Sequence, residues 1–266
     1  MKWYFLFIMS FFLVGCSETV LIVGDNYVDI IDNWGLDSGL FRFRARLRGK
    51  KIIHGTADGE FSLTDMIAEL AFVPDIVILS PWNAHEAKRP VLRSSRIIIA
   101  GGEPPAGSGE NVIGTVMDKM QALADIGRLA ASMALEQEKP ALVLYSDNIS
   151  ELFDAYNDAV QEEFAIIEVK SSGRMDETLP NEFAGKAADA SVLIFLAGPL
   201  NIEAFKATQD MQQPVITEFA LAGGYWNSRI IASIESDSGR MREVLVSAMN
   251  KKVQQSSIYY PGKLKM

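Results

Sequence analysis

The sequence is poor in the residues that many enzyme and metal sites use. Its 266 residues include one cysteine, Cys16, and two histidines, His54 and His85. One cysteine cannot form an intramolecular disulfide or a cysteine cluster, and the histidines lack zinc-motif spacing. No GxxxxGK[ST] loop, GxGxxG motif or GxSxG turn is present. We therefore predict no metal, no cofactor and no catalytic residues. A carboxylate-based hydrolase is the enzyme alternative that is least excluded.

Positive charge is also scarce in this chain. It carries 25 Lys and Arg against 34 Asp and Glu, which gives a formal net charge of −9. An acidic protein repels nucleic acid rather than attracting it. We therefore expect no nucleic-acid partner.

The basic stretch LFRFRARLRGKK (40–51) is the exception to this acidic balance. Leu36, Leu40, Phe43 and Leu47 recur at helical spacing, which favours a helix with a solvated basic face. The strict alternation over 41–48 also fits an edge strand. A patch for anionic lipid or nucleic acid is the functional alternative, which we disfavour, although a lipid-anchored protein could rest this face on acidic headgroups.

The first 16 residues have the pattern of an export signal. Lys2 precedes an apolar run over 3–14, which is too short to span a bilayer and suits a signal peptide. The run ends in Leu13-Val14-Gly15-Cys16, which resembles the bacterial lipobox. That resemblance implies a signal peptide at 1–15 and lipidation of Cys16. The chain would then be anchored to a membrane of a bacterial cell envelope, facing the periplasm or exterior. A plain signal peptide and a short uncleaved anchor are the alternatives.

Short apolar runs alternate with helix-patterned segments along the rest of the chain. The runs at 20–23, 76–79, 97–100 and 141–144 are typical of strands buried on both faces of a parallel sheet. Their alternation with helices predicts an α/β fold with right-handed crossovers. The alternation comes in two rounds, separated by the Gly/Pro-rich segment 101–109. We therefore predict two Rossmann-like lobes, each a parallel sheet flanked by helices, joined by a hinge.

Several segments resemble the type I periplasmic binding proteins. NVIGTVMDKMQALADIGRLAA (111–131) resembles the entry into that family's second lobe, where a strand passes an aspartate into a helix. KPALVLYSD (139–147) and ADASVLIFLAGP (188–199) resemble later strands of the second lobe. IIASIESD (230–237) resembles the return to the first lobe, and PDIVILSPWN (74–83) resembles the sugar-binding branch.

The resemblance implies a periplasmic-binding-protein-like I fold. Lobe 1 would comprise 16–106 plus 236–254, and lobe 2 would comprise 107–235 plus 255–266. It implies capture of a ligand by lobe closure and delivery to an ABC permease in the membrane. We expect a small polar ligand with a ring, namely a sugar, a nucleoside or a flavin-like compound. A lipoprotein that senses a ligand and signals to a membrane receptor is the alternative. LacI-type repressors share the core, but the expected export signal disfavours them.

Ligands of open parallel sheets bind beyond the carboxyl ends of the strands. In lobe 1 this rule selects Asn26 and Tyr27 after the first strand, and Trp82 and Asn83 after Leu79. In lobe 2 it selects Asp147, Asn148, Gly198, Pro199, Glu218 and Trp226. Ser80 and Asn201 lie at the same strand ends, and Glu103 lies near the Gly/Pro-rich linker.

The residue types of these candidates suit a ring with polar substituents. Tryptophan stacks on the apolar face of a ring, and Asn and Asp pair with hydroxyls or amides. Structural alternatives exist for some of them. Asn26 could cap the next helix, and Trp226 could be packed within a loop.

Overall fold

The computed structural model describes residues 18–24, 39–56, 63–81, 83–160, 164–171, 178–198, 200–218, 229–236, 238–250 and 256–266. The chain divides into two compact units. Unit 1 comprises Met1–Met117 and Asp237–Tyr260, and unit 2 comprises Asp118–Ser236 and Pro261–Met266. Among the described helices, none combines the length and the apolar character that a bilayer crossing needs.

Strands and helices alternate along the described chain. The strands are β1 (Glu18–Gly24), β2 (Lys50–Thr56), β3 (Ile76–Leu79), β4 (Arg96–Ala100), β5 (Val112–Asp118), β6 (Leu142–Tyr145), β7 (Ile167–Lys170), β8 (Leu193–Leu196), β9 (Val215–Thr217), β10 (Ile230–Ser236) and β11 (Ser257–Lys265). The helices are α1 (Gly39–Leu47), α2 (Leu63–Leu70), α3 (Met120–Gln137), α4 (Ser150–Val160), α5 (Leu179–Ala187), α6 (Leu200–Ala207) and α7 (Ser238–Met249), with 3-10 turns at Ala84–Lys88 and Pro90–Leu92.

The sheet of unit 1 has the order β2-β1-β3-β4-β5. Every pairing between these neighbours is parallel. Successive residues of a strand point to opposite faces, so the sheet builds two core clusters. On one face, Ile22 of β1 lies in a cluster with Phe41 of α1 and Leu245 of α7. On the other face, Leu21 lies in a cluster with Leu63 of α2. Helices therefore cover both faces, as in a doubly wound sheet.

The sheet of unit 2 has the order β11-β10-β9-β8-β6-β7. The pairing of β10 with β11 is antiparallel, and the remaining pairings are parallel. Phe195 of β8 is fully buried, and its ring centroid lies 5.2 Å from Phe183 of α5 and 6.2 Å from Phe205 of α6. This aromatic cluster fixes two helices against the middle of the sheet.

The predicted fold class is confirmed, since both units contain a mostly parallel sheet flanked by helices. The apolar runs of the sequence became the buried strands because both faces of each sheet are covered. The basic stretch 40–51 is helical up to Leu47 and then enters β2. The helical interpretation of its first part is therefore confirmed, and the edge-strand alternative is wrong over that part.

The boundary between the units lies at Met117/Asp118, whereas the sequence led us to expect the first change of lobe at 106/107. Strand β5 accounts for the difference, because residues 112–115 pair in parallel with 97–100 of β4. The chain therefore completes the sheet of unit 1 after the Gly/Pro-rich segment. The later crossings lie at Ser236/Asp237 and Tyr260/Pro261, against expected positions of 235/236 and 254/255.

Strand β11 has no counterpart in the sequence-based expectations. Pro261 and Gly262 lie in its middle, and both residues argue against a strand. Its pairing is nevertheless continuous from Ser233↔Lys265 to Ser236↔Gly262. Antiparallel pairing with β10 overrides the weak local propensity of this segment.

Candidate functional site

The carboxyl ends of three strands in unit 2, together with the residue that follows β5, carry a cluster of polar side chains. Lys119 follows β5, Asp147 follows β6, Asn201 follows β8 in the first turn of α6, and Glu218 follows β9. Strands β6, β8 and β9 are parallel, so their carboxyl ends meet at one edge of the sheet. This edge is where α/β sheets place ligands. We call Lys119, Asp147, Gly198, Asn201 and Glu218 the unit-2 cluster.

Glu218 is the centre of the unit-2 cluster. It is buried, with 7% of its surface exposed, and its carboxylate forms an ion pair with the Lys119 ammonium. The Gly198 backbone N–H donates to Oε2 at 2.8 Å, and the Asn201 Nδ2 amide donates to the same oxygen at 3.3 Å. Each carboxylate oxygen thus has a partner. A buried carboxylate needs such partners, because burial without them is strongly unfavourable.

The main chain and side chain of Asn201 complete this arrangement. Its Oδ1 accepts from the Ala197 N–H at 2.8 Å, and its own N–H donates to the Gly198 carbonyl at 3.1 Å. Gly198 has a φ of +57°, a left-handed conformation that side-chain-bearing residues rarely adopt. This conformation turns the chain sharply after β8 and brings the Gly198 N–H onto Glu218.

The charges of the cluster are coupled. Burial alone would raise the pKa of Glu218, but Lys119 and the hydrogen bonds outweigh it and lower that pKa below its usual value. Burial opposes the charge of Lys119 as well, yet Glu218 keeps the pKa of Lys119 above its usual value. Both groups are therefore charged at neutral pH, as an ion pair requires.

Asp147 is the carboxylate of the cluster that reaches solvent. Asp147 is exposed as a residue. Partial burial of its carboxyl group and the nearby charge of Glu218 raise its pKa, and the charge of Lys119 acts in the opposite direction. The cluster thus presents one accessible carboxylate beside the ion pair of the buried Glu218 with the partly buried Lys119. Such a group can accept hydrogen bonds from hydroxyl or amide donors of a ligand.

The other predicted residues of unit 2 have different environments. Asn148 is exposed, and its Oδ1 accepts from the Ser150 N–H at 3.1 Å, which caps the start of α4. Gly198 acts through its backbone on Glu218. Pro199 and Trp226 lie outside the described residues.

Fewer of the predicted residues of unit 1 are described. Asn26, Tyr27 and Trp82 lie outside the described residues, and so does Cys16. Asn83 is partly exposed at the start of the 3-10 turn Ala84–Lys88, and its N–H donates to Ser80 Oγ at 3.3 Å. The structure therefore places Asn83 beyond the carboxyl end of β3, as the sequence suggested.

Glu103 has a structural environment in unit 1. Its carboxylate accepts hydrogen bonds from the Ser257 hydroxyl and, at 2.7 Å, from the Tyr259 hydroxyl of β11. These bonds fasten the start of β11 to the segment that follows β4.

Lys119 is the member of the cluster that the sequence analysis missed. Its signal in the sequence is weak, since it is one lysine after an aspartate at the end of a strand. Its partner Glu218 lies 99 positions later, so their contact depends on the tertiary fold. Within the described ranges, no group of three or more His, Cys, Asp or Glu is arranged to hold a metal ion.

Comparisons with known proteins give the class of this fold. No protein-family model matches the chain, and no curated protein matches it significantly. Solved structures do match. GanP, a glucose-galactose binding protein from Geobacillus stearothermophilus, is 14% identical, with 94% of this chain and 97% of that chain covered and a TM-score of 0.58. The substrate-binding protein of a sugar ABC transport system from Bordetella parapertussis is 14% identical, with 95% and 92% covered and a TM-score of 0.57.

A transcriptional regulator of the LacI type also matches. The protein is from a Rhodococcus species and is 10% identical, with 93% of this chain and 96% of that chain covered and a TM-score of 0.60. At these identities the likeness shows the fold. The chain has the periplasmic-binding-protein-like I fold, which sugar-binding proteins of ABC systems and LacI-type regulators share. The resemblance noted in the sequence is confirmed at this level.

Proposed function

We propose that this protein is an extracytoplasmic solute-binding protein. It would capture a small polar ligand with a ring, a sugar in the first instance, and deliver it to an ABC importer. The observation that carries the proposal is the unit-2 cluster, in which an accessible carboxylate, Asp147, lies beside the Lys119–Glu218 ion pair at the carboxyl ends of the strands. The sugar-binding proteins that share the fold support the choice of ligand class.

The chemistry of the cluster fits a neutral ligand that donates hydrogen bonds. The charges of Lys119 and Glu218 compensate each other, so the accessible polar group is the Asp147 carboxylate. A carboxylate accepts hydrogen bonds from two adjacent hydroxyls, which is a pattern that sugars and the ribose of nucleosides offer. An anionic ligand would be repelled by Asp147. Capture by lobe closure stays a prediction from the sequence.

Ligand identity and affinity are tested with full-length protein in detergent. Native mass spectrometry identifies any co-purified mass, and calorimetric titration with monosaccharides and nucleosides then gives affinities. We expect Asp147→Asn to weaken binding about tenfold or more, because the amide presents one accepting oxygen where the carboxylate has two. Affinity of the wild type should also fall as acid protonates Asp147, starting at a higher pH than for an ordinary aspartate because its pKa is raised.

Asp189→Asn is the matched control for that experiment. Asp189 is also an exposed aspartate of unit 2, but it lies before β8 at the amino end of the sheet. This variant should bind like the wild type. If Asp147→Asn and Asp189→Asn both keep full affinity for a ligand that the wild type binds, the unit-2 cluster is not the binding site.

The proposal includes a lipid anchor on Cys16, which rests on the Leu13-Val14-Gly15-Cys16 pattern. We expect Cys16→Ala to leave the detergent phase in a phase-partition assay and to retain its signal peptide, because processing depends on the modified cysteine. Cys16→Ala protein that stays in the detergent phase after the same cleavage would contradict lipidation.

A further inference from the structure

Three exposed apolar side chains lie at the amino end of the unit-1 sheet. Leu47 ends α1 shortly before β2, and it is 71% exposed. Phe72 and Val73 precede β3 and are 40% and 43% exposed. Strands β2 and β3 both pair in parallel with β1, so these side chains lie on either side of the start of β1. Single exposed apolar residues are ordinary, but these three lie at the same end of one sheet.

Basic side chains surround the same end of the sheet. Arg46 and Arg48 flank Leu47, and Lys51 follows in β2, and all three are exposed. Arg93, also exposed, precedes β4. This concentration contrasts with a chain whose formal net charge is −9. We call Leu47, Phe72 and Val73 with Arg46, Arg48 and Lys51 the basal face.

Two of the acidic groups at this end are engaged within the protein. Glu18 forms an ion pair with Lys50. Asp75 accepts from the Thr19 N–H at 2.8 Å and from the Thr19 hydroxyl at 2.9 Å. Glu69, near the end of α2, and Glu243 of α7 are exposed, and Glu243 forms an ion pair with Arg240. The three exposed cations of the basal face therefore outnumber these two exposed acids, and the face attracts anions.

The start of β1 connects the basal face to the proposed lipid anchor. Glu18 and Thr19 are in register with Lys50 and Lys51 of β2, so β1 begins beside the basic residues. Cys16 precedes Glu18 by two residues, which span at most about 7 Å of chain. An acyl chain on Cys16 would hold this end of unit 1, rather than its opposite end, next to the lipid headgroups.

A groove of about 520 Å³ adjoins the basal face. Leu47 and Arg48 of the basal face line one side, and Glu243, Val246 and Ser247 of α7 and Asn250 after it line the other. Its walls combine apolar surface with a guanidinium, hydroxyl and amide groups and the carboxylate of Glu243, which forms an ion pair with Arg240. The Arg48 guanidinium and the hydroxyl and amide groups suit the phosphate and glycerol of a lipid headgroup.

We propose that the basal face of unit 1 rests on an anionic lipid surface. Leu47, Phe72 and Val73 enter the headgroup region, and Arg46, Arg48 and Lys51 contact lipid phosphates. The lipid on Cys16 supplies the attachment, and the basic face determines which side of unit 1 meets the headgroups. The proposal rests on lipidation of Cys16, which is part of the proposed function, and is independent of the ligand.

The test uses a fluorophore whose emission depends on its surroundings. It is attached at Leu47→Cys in full-length lipidated protein, where Cys16 is blocked by its lipid. His85→Cys is the matched control, since His85 has a side chain that is 71% exposed but follows the carboxyl end of β3. Both proteins are reconstituted into phosphatidylcholine vesicles with or without phosphatidylglycerol. Flotation of the vesicles reports the anchor separately.

If the basal face docks, the fluorescence emission of the label at position 47 should shift to the blue in the anionic vesicles. Brominated lipid should quench that emission. The label at 85 should not change. High salt should reduce the shift, because it screens the basic side chains. The triple variant Arg46→Glu/Arg48→Glu/Lys51→Glu should lose the shift but still float, whereas the corresponding Arg→Lys variant should keep it.

Each outcome decides the proposal. Flotation with a blue shift confined to position 47 supports docking of the basal face. Flotation with equal emission at 47 and 85 overturns docking and leaves the anchor intact, and it makes a protein the candidate occupant of the face. Protein that does not float overturns both the anchor and the docking that depends on it, while ligand binding by the same preparation still reports on the unit-2 cluster.

Discussion

Replacing Glu218 by glutamine should lower the free energy of unfolding by about 3 kcal/mol, because it leaves a largely buried ammonium without its counter-charge. The Lys119 side chain is 24% exposed and the Glu218 side chain 9%. Glutamine keeps the size of the side chain and an oxygen that can accept from Gly198 or Asn201. The loss therefore reports mainly on the charge of Glu218. Urea unfolding followed by circular dichroism measures it.

The effect of this substitution should depend on pH in a definite direction. Lys119 and the hydrogen bonds, acting against burial, hold the pKa of Glu218 below its ordinary value of 4.5. A carboxyl whose pKa is lowered by folding stabilises the protein above its unfolded-state pKa, and this contribution disappears as pH falls through the folded-state pKa. The difference between wild type and Glu218→Gln should thus be largest near neutral pH and shrink in acid below about pH 4.5.

Two further variants identify the origin of the loss. Glu182→Gln removes the glutamate of an exposed ion pair with Lys186 in the same unit, and it should change stability by about 0.5 kcal/mol or less. Adding Lys119→Met to Glu218→Gln should restore part of the loss, because no unpaired charge then remains in the cluster. Equal losses for Glu218→Gln and Glu182→Gln would contradict a structural role for the Lys119–Glu218 pair.

The sequence predicts the framework of the fold well because both sheets are buried on both faces. Continuous apolar runs such as 76–79 and 193–196 are then required in the strands, and they stand out against the polar helix surfaces. The same runs also show which residues follow the carboxyl end of each strand. This is why the sequence alone selects Asp147 and Glu218 as candidate site residues.

The interactions of the cluster could not be predicted in the same way. Whether Glu218 faces a ligand or a lysine depends on where the start of α3 lies relative to the end of β9, and these two parts of unit 2 are distant in the sequence. The use of Asn148 as a helix cap is a local interaction, but an asparagine after a strand suits a cap and a ligand contact equally. Strand β11 was missed because its pairing with β10, rather than its composition, determines its conformation.

A close contact between two helices of unit 2 gives the second large expected effect. Gly127 of α3 is buried, and a Cβ built there would overlap the Leu152 carbonyl oxygen of α4. It would also lie 3.1 Å from the Ala155 Cβ and from the Tyr156 nitrogen. The Leu152 oxygen and the Tyr156 nitrogen belong to the backbone, which cannot move away by a change of rotamer as a flexible side chain can. We therefore expect Gly127→Ala to cost about 3 kcal/mol of unfolding free energy, although alanine is the better helix former.

Other hydrogen bonds restrict the movement of α4. Moving α4 to remove the overlap between a Cβ at position 127 and the Leu152 carbonyl oxygen would therefore cost free energy. The buried Tyr156 hydroxyl donates to the Phe164 carbonyl at 2.8 Å and accepts from the Ala141 N–H at 3.2 Å, next to the start of β6. Shifting α4 away from Gly127 would strain these bonds.

Gly185→Ala is the matched control, because Gly185 is an exposed glycine of α5, and a Cβ added there would have no described heavy atom within 4 Å. The same substitution should there stabilise the protein by about 0.5–1 kcal/mol, since alanine loses less conformational freedom in a helix. Opposite signs for the two glycines in urea unfolding would show that close packing of α3 on α4 outweighs helix propensity. A stabilising Gly127→Ala would mean that the two helices lie farther apart than in this structure.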